Sequence, residues 1–369
     1  MQTHTTYLLN SLSDREAMDY ALEHGMAVAL FRFPSERLAS LYISEHAGAC
    51  MQEESGRDVF MFSRFNDNEV FSVPADYRRK VPAPSHPCRP CGDTACPPME
   101  PDYALHINML VERLRRRGGK TVFAVSREVQ VDLHPFDIFT RLASAYPDAF
   151  VFFWKIPDMP EAWIGATPEV LAEASDGLFR TMALAGTRRR GVCDMPWDEK
   201  NIEEQGMVRD FILDTCREHG LMPKCTGAFT KSAGPVEHIC NVIEASMPQG
   251  FDPLSLAVAL SPTPAVCGLP RSEALVDIVE LEDMARDFYS GWCGVTGAGG
   301  RCRLFVTLRC MSLELSACRA RLFAGGGVTR KSDAAAEWAE VNAKMGTLLS
   351  VLQGGTTADT AQLKKQPNY

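Results

Sequence analysis

Glu337-Trp338-Ala339-Glu340-Val341-Asn342-Ala343-Lys344 opens a C-terminal helix by its spacing. Glu337, Glu340 and Lys344 stand three and four residues apart and share one face. At about 100° per residue, Val341, Met345, Leu348 and Leu352 fall in or beside the same arc. Ala336, Ala339, Ala343, Gly346 and Ser350 take the opposite side. Two carboxylates and an ammonium therefore point where the apolar residues point. Charge runs usually mark a solvated salt-bridge face. Buried charges, by contrast, are costly unless paired or bound to metal. Two readings stand: a solvated face, or a polar pocket holding a divalent cation and an anionic ligand.

The pattern repeats upstream. Glu199 to Cys216 reads as a helix in which Asn201, Glu204 and Gln205 align with Val208, Phe211, Ile212 and Thr215. Polar groups again begin a face that is otherwise apolar. A metal site held by two carboxylates needs a second carboxylate helix of this kind.

Bulk composition narrows the class. The chain has 369 residues, 46% of them apolar, which suffices for one large domain or two. Its net charge is −9, and its densest basic run, Arg113 to Lys120, lies among helix-like residues; a nucleic-acid partner is not expected. No apolar run approaches the ~20 residues of a membrane helix. Met1 to Tyr7 lacks the pattern of a signal peptide. The cysteine count of 13 is odd and the cysteines are scattered. They read as reduced thiols, and a cytoplasmic location is expected.

Residues 1–80 read as an N-terminal α/β part of the scaffold, with a helix over Arg15 to Gly25 and strands at Met26 to Phe33, Asp58 to Phe62 and Glu69 to Val73. Residues 81–101 form a Pro/Cys-rich loop. His86, Cys88, Cys91 and Cys96 in it allow a zinc site, but a flexible linker is the favoured reading, because zinc usually needs a second spaced pair. From Tyr103 the chain alternates helices and strands. Tyr103 to Arg117 is an amphipathic helix, Thr121 to Arg127 a strand, Ile138 to Ala145 a helix and Ala149 to Ile156 an apolar strand placed centrally. Glu169 follows a short strand, Trp163 to Thr167, as a cap for the next segment or as an acid presented at a strand end. Gly186 and Thr187 sit where backbone N–H groups and a hydroxyl could bind an anion; a surface turn with three solvated arginines fits equally. Pro253 to Leu260 and Ser272 to Val279 are helical, with a rigid proline-rich loop between them. Phe288 to Val295, Leu304 to Cys310 and Ala320 to Gly325 read as hairpin strands. Arg309 ends an apolar strand, which is unusual unless it meets an anion. Gly325-Gly326-Gly327 reads as a backbone-exposing turn, and residues 354–369 as a disordered tail.

Five motifs in order then carry a resemblance: Gly165-Ala166-Thr167-Pro168-Glu169, Leu184-Ala185-Gly186-Thr187-Arg188, Pro262-Thr263-Pro264-Ala265-Val266-Cys267-Gly268-Leu269-Pro270, Phe323-Ala324-Gly325-Gly326-Gly327 and Glu337-Trp338-Ala339-Glu340. The chain resembles the chorismate-utilising enzymes, and within them the isochorismate synthases of menaquinone and siderophore pathways, over roughly residues 103–352. The resemblance implies an α+β fold, a single large domain of two packed antiparallel β-sheets flanked by helices, with residues 102–353 as the chorismate-binding catalytic region. It implies Mg²⁺ as cofactor and chorismate, a dianion, as substrate, with no membrane partner and a monomer as the working expectation. Glu204 and Glu340 match metal ligands, Glu337 a supporting carboxylate, and Asn201 stands where that shell usually has Asp or Glu. Lys344, Arg309, Gly325, Gly186 and Thr187 match substrate contacts, and Tyr289 an aromatic pocket position. Glu169 matches the general acid that protonates the leaving C4 hydroxyl.

Three positions depart from the family pattern. The lysine that activates water is replaced by Val122, with Lys120 two residues earlier on the same strand face; a β-bulge would bring it into place. Ser261 and Gln205 stand where histidines are usual. The expected activity is isomerisation of chorismate to isochorismate by water attack at C2 and loss of the C4 hydroxyl, with Lys120 as the displaced base. The alternatives are a non-catalytic chorismate-binding protein, or a relative that uses ammonia, of the anthranilate or aminodeoxychorismate synthase type.

Overall fold

The computed structural model describes residues 3–49, 57–67, 69–82, 96–191, 195–234 and 236–353. His86, Cys88, Cys91 and the tail from Gly354 lie outside the described residues. Cys96 is exposed, and the described cysteines form no disulfide among themselves.

The strands, numbered along the chain, form two antiparallel sheets. The first has nine, in the order β15 (Gly268–Leu269), β7 (Lys120–Gln130), β19 (Arg319–Thr329), β18 (Cys310–Glu314), β9 (Ala162–Thr167), β8 (Phe150–Lys155), β1 (Ala27–Arg32), β2 (Leu38–Ser44) and β6 (Tyr77–Pro82). The second has ten: β12 (Lys224–Cys225), β14 (Val236–Ser246), β11 (Leu178–Arg189), β10 (Val170–Ser175), β17 (Arg301–Val306), β16 (Trp292–Gly297), β4 (Val59–Ser63), β5 (Val70–Pro74) and β3 (Gly48–Ala49), with β13 (Phe229–Ala233) also on β14. The N-terminal strands thus belong to both sheets.

Aromatic side chains fill the space between the sheets. Phe150 of β8 stacks on Phe305 of β17 at 4.3 Å, and Phe62 of β4 on Trp154 of β8 at 3.9 Å. Such pairs hold sheet faces together through large buried area. Helices cover the outer faces. The first sheet carries α1 (Thr3–Ser11), α2 (Asp14–Glu23), α3 (Pro101–Arg117), α4 (Pro135–Ala145) and α8 (Ala334–Gln353). The second carries α5 (Glu199–Glu218) and α6 (Pro253–Leu260). Their starts follow local chemistry: Ser13 and Glu16 form a capping box on α2, and the Asp198 carboxylate accepts from the Asn201 N–H at the head of α5. The fold expected from the resemblance is the fold observed. No helix is long and apolar enough to cross a membrane.

Several local expectations are corrected. Gly325, Gly326 and Gly327 are not a turn; they lie inside β19, paired with Ala124, Phe123 and Val122 of β7. Phe288 to Gly291 is a turn rather than strand, because Asp287 and Ser290 adopt positive φ (48° and 67°), and β16 begins at Trp292. The Leu304 to Cys310 strand is broken: β17 ends at Val306, and Arg309 at φ 48° sits in the step to β18 in the other sheet. Ser350 is buried rather than outward, because the last turns of α8 pack against Tyr146 on both sides of the helix. Strands β2 and β6 were not foreseen.

The edge of the first sheet needs a cover. Beyond the two-residue β15, the backbone of β7 would be left unpaired at Val122 and Ala124. A buried ion pair takes its place near α7 (Arg271–Leu281): Arg286 Nη2 donates to the Val122 carbonyl (2.7 Å) and Nη1 to the Val266 carbonyl (2.7 Å), while Glu282 Oε1 accepts from the Ala124 N–H (2.8 Å). Arg286 and Glu282 pair with each other at 2.5 Å, both almost wholly buried. Unpaired backbone groups at a sheet edge are thereby satisfied. Arg286→Met leaves the buried Glu282 carboxylate without its counter-ion and two carbonyls without a donor; urea unfolding is expected to show a loss of about 3–5 kcal/mol.

Candidate active site

The chain steps between sheets twice at one end of the sandwich. It passes from β9 to β10 through Pro168-Glu169 and from β17 to β18 through Thr307-Leu308-Arg309. The two steps are tied together: the Val306 N–H donates to the Glu169 carbonyl and the Ala166 N–H to the Arg309 carbonyl, each at 3.0 Å. Glu169 and Arg309 consequently line one enclosed cavity, with Gly186, Thr187, Glu204, His238, Tyr289, Gly325 and Lys344.

Burial and charge shape this space. Glu169 is 4% exposed, and burial raises its carboxyl to about 8, against the opposing pull of Lys120, Lys231 and Lys344. It is a protonated acid at neutral pH. Lys231, on β13, donates to the Pro168 carbonyl at 3.1 Å and fixes the turn that carries Glu169. Arg309 is buried and has no carboxylate at ion-pairing distance among the described residues; it donates to Thr347 Oγ1 (3.1 Å) and lies 3.4 Å from His238 Nε2. A buried guanidinium without a counter-ion is a site for an anion.

His238 was missed in the sequence, although a titratable residue inside the apolar run of β14 was a signal. Its Nδ1 lies 2.9 Å from the Gly186 carbonyl, so Nδ1–H donates and Nε2 carries the lone pair toward Arg309. Burial, then Arg309 and Lys344, depress it to about 3, and the ring is neutral. Gly186 adopts φ 70° at a bulge in β11, and a Cβ there would sit 3.0 Å from the Asn201 carbonyl. Asn201 Oδ1 accepts from the Thr187 N–H (2.8 Å) and its Nδ2 donates to Asp198 (2.7 Å). Both ends of this amide are engaged in holding the bulge. Tyr289 stacks on Phe323 and walls the cavity.

Two helices bring carboxylates to the glycines of β19. A Cβ on Gly327 would lie 2.0 Å from Glu204 Oε1 of α5, and one on Gly326 would lie 3.1 Å from Glu337 Oε2 and 3.7 Å from Glu340 Oε1 of α8. Each carboxylate meets a lysine: Glu204 with Lys120 (2.8 Å), Glu337 with Lys200 (2.5 Å) and Glu340 with Lys344 (2.7 Å). Lys344 also donates to the Gly325 carbonyl (2.8 Å). Burial and Glu340 push Glu337 upward, whereas Lys344, then Lys200, hold Glu340 down against its burial. Glu337 Oε2 is buried without a hydrogen-bond partner; Ser332 pulls weakly on this carboxyl but does not bond that oxygen. The oxygen donors, the side-chain-free cradle and the orphaned Oε2 fit a hard divalent cation. As placed, no three Asp, Glu, His or Cys side chains among the described residues form a ready cage. Mg²⁺ needs only one or two carboxylates and keeps its waters.

Lys120 does not arrive by a bulge. The β7–β19 register is continuous from Lys120 to Gln130. Val122 lines the cavity, and Lys120, fully buried, reaches Glu204 by its own length. Gln205, where a histidine was usual, bonds Asn241 behind the wall.

The pocket thus sets a neutral acid on one side, a guanidinium with no counter-ion among the described residues on another and a carboxylate against bare strand. The chain belongs to the chorismate-binding enzyme family, whose model matches residues 97–353. It is 32% identical over 209 residues to the vibriobactin-specific isochorismate synthase of Vibrio cholerae, covering 51% of this chain and 50% of that protein. It is 30% identical over 226 residues to the isochorismate synthase EntC of Escherichia coli (57% and 56%). Anthranilate synthase component 1 of Bacillus pumilus matches at 25% over 238 residues (61% and 46%). The matched stretch spans about half the length of these relatives. Among solved structures, the menaquinone-specific isochorismate synthase MenF of Escherichia coli superposes with a TM-score of 0.75 at 18% identity, covering 89% of each chain. That likeness establishes the fold.

Two outcomes follow from the geometry. Gly327→Ala puts a methyl group where Glu204 Oε1 lies and drives the carboxylate off the fully buried Lys120, so the melting temperature is expected to fall by several degrees and any rise on adding chorismate and Mg²⁺ to disappear. Glu169 keeps its proton in the folded chain between pH 4.5 and about 8 but loses it when unfolded, so native stability falls as pH rises through that window. Glu169→Gln removes this penalty. Its melting temperature relative to the parent is expected to climb from pH 5 to pH 8.5.

Proposed function

We propose that the protein is an isochorismate synthase, converting chorismate to isochorismate with Mg²⁺. The observation that carries this reading is the cavity that unites buried Glu169 with Arg309, Glu204, Gly327 and Lys344, next to Glu337 and Glu340 at Gly326. Glu204 and Glu340 would hold the metal, with Glu337 in support; bound there, Mg²⁺ would neutralise and polarise the ring carboxylate.

The side chains then divide the work. Arg309 and the Thr187 hydroxyl bind the anionic arms of the substrate, and Tyr289 packs beside the ring. Lys344, fixed to the Gly325 carbonyl, adds positive charge. Glu169 gives its proton to the hydroxyl leaving C4 while water adds at C2. The proton lost by that water goes to the Lys120 amine in this reading, once the ammonium has passed its own proton to Glu204, its partner at 2.8 Å. Lys120 shares a strand face with Val122, and its charge acts on Glu169 through space.

A specific observation favours a second reading. Val122 faces the cavity with no bulge to replace it, so chorismate binding without turnover is the alternative. Chromatography of purified protein with chorismate and Mg²⁺ separates the two. Isochorismate is expected, lost on adding EDTA and falling above about pH 8 as Glu169 ionises. Glu169→Gln and Lys120→Met are expected to lower the rate by at least ~10²-fold each. Full activity in either variant removes that residue from the chemistry. Mg²⁺-dependent binding without product establishes the second reading.

A further inference from the structure

The three lysines at the carboxylates are not equivalent. Lys120 is fully buried, and Lys344 is held by two acceptors, Glu340 and the Gly325 carbonyl. Lys200 has a single hydrogen-bond partner, Glu337 Oε1, and its side chain is 22% exposed against 1% for Glu337. It stands on α5 one turn before Glu204, at the solvent side of the cluster. The other oxygen of Glu337 is buried and unbonded beside Gly326. One carboxylate therefore faces a removable cation on one oxygen and an empty coordination direction on the other. The ammonium is also drawn by Glu204 and Glu340, so its charge serves the whole cluster.

We propose that Lys200 is the resident counter-cation of this acidic cluster: it neutralises Glu337 when no divalent ion is bound and swings toward solvent when one binds, which sets the affinity for the ion. The inference deepens the metal-dependent reading above and rests on it. Two features make the exchange physically reasonable. An ammonium and a divalent ion repel each other in a poorly screened site, so a metal on this cluster weakens the hold of its lysines, and Lys200, the most exposed of the three, is the one freest to leave. A lysine has a flexible stem and a strongly hydrated head, so release into water is cheap compared with moving a fully buried one. Without Lys200, Glu337 would be an uncompensated buried carboxylate next to Glu340. Lys200 is thus a positioning residue; it touches neither substrate nor reacting atoms.

Metal binding is read directly and without substrate, by loss of the free Mn²⁺ electron-paramagnetic-resonance signal and by calorimetry with Mg²⁺. Lys200→Met is expected to bind Mn²⁺ at least ~10-fold more tightly than the parent and to melt several degrees lower in EDTA, with the deficit restored by Mg²⁺. Lys200→Gln keeps a hydrogen bond to Glu337 without the charge and is expected to bind as tightly as the methionine variant, with less loss in EDTA. Lys200→Arg should remain close to the parent. Equal or weaker metal binding in both neutral variants overturns the inference while leaving the metal-dependent reading intact. Absence of metal binding in parent and variants alike overturns both.

Discussion

The close approach of two helices to a strand without side chains is the constraint on which this structure depends. Gly327 of β19 leaves room for Glu204 of α5 on the cavity side, and Gly326 for Glu337 and Glu340 of α8 on the other. Carboxylates so placed would repel each other and resist burial. Lys120, Lys200 and Lys344 answer them one for one. The arrangement also joins the outer layers: α5 covers one sheet, α8 the other, and the Lys200–Glu337 bond links them across the end of the sandwich. The candidate site and the closure of the fold draw on the same few residues.

The second ingredient is topological. A sandwich of two sheets normally keeps its strands within one layer. Here the chain changes layers at Pro168-Glu169 and at Thr307–Arg309, side by side. At such a step the backbone leaves the ladder, and side chains can point along the sandwich instead of across it. An acid and a guanidinium are thereby brought to one chamber from positions 140 residues apart in sequence (309 − 169). The positive φ of Arg309 is a local strain that the surrounding hydrogen bonds hold in place.

The helix faces were legible because helical period alone sorts them. Asn201, Glu204 and Gln205 are buried with Val208 and Ile212, as the spacing indicated. The charged face of α8 was legible for the same reason, whereas Ser350 was misplaced because burial near the end of that helix comes from a neighbour, Tyr146, that no period reveals. Strand β6 escaped because Arg78, Arg79 and Lys80 mask its alternation. The glycine run was misread because glycine signals a turn far more often than a strand that must be bare. His238 and Lys231 escaped because each acts through tertiary contacts, on the Gly186 and Pro168 carbonyls, across β-pairings that spacing does not encode. The motif resemblance supplied the layer architecture; local pattern would have left its order open.

The pairing of β7 with β19 carries a consequence for biosynthesis. The register joins Gln130 to Arg319 and Lys120 to Thr329. At roughly 5–20 residues per second, a ribosome needs about 10–40 s to go from one strand to the other. Throughout that interval the apolar ribbon from Val122 to Val125 lacks β19, and for most of it β15, Glu282 and Arg286 as well, so it invites mispairing with any other nascent strand. The amphipathic α3, made just before it, packs beside this ribbon in the finished fold, through Tyr103 and Phe123. Early docking of that helix would shield the ribbon until its true neighbour emerges, a chaperoning role performed within the polypeptide itself.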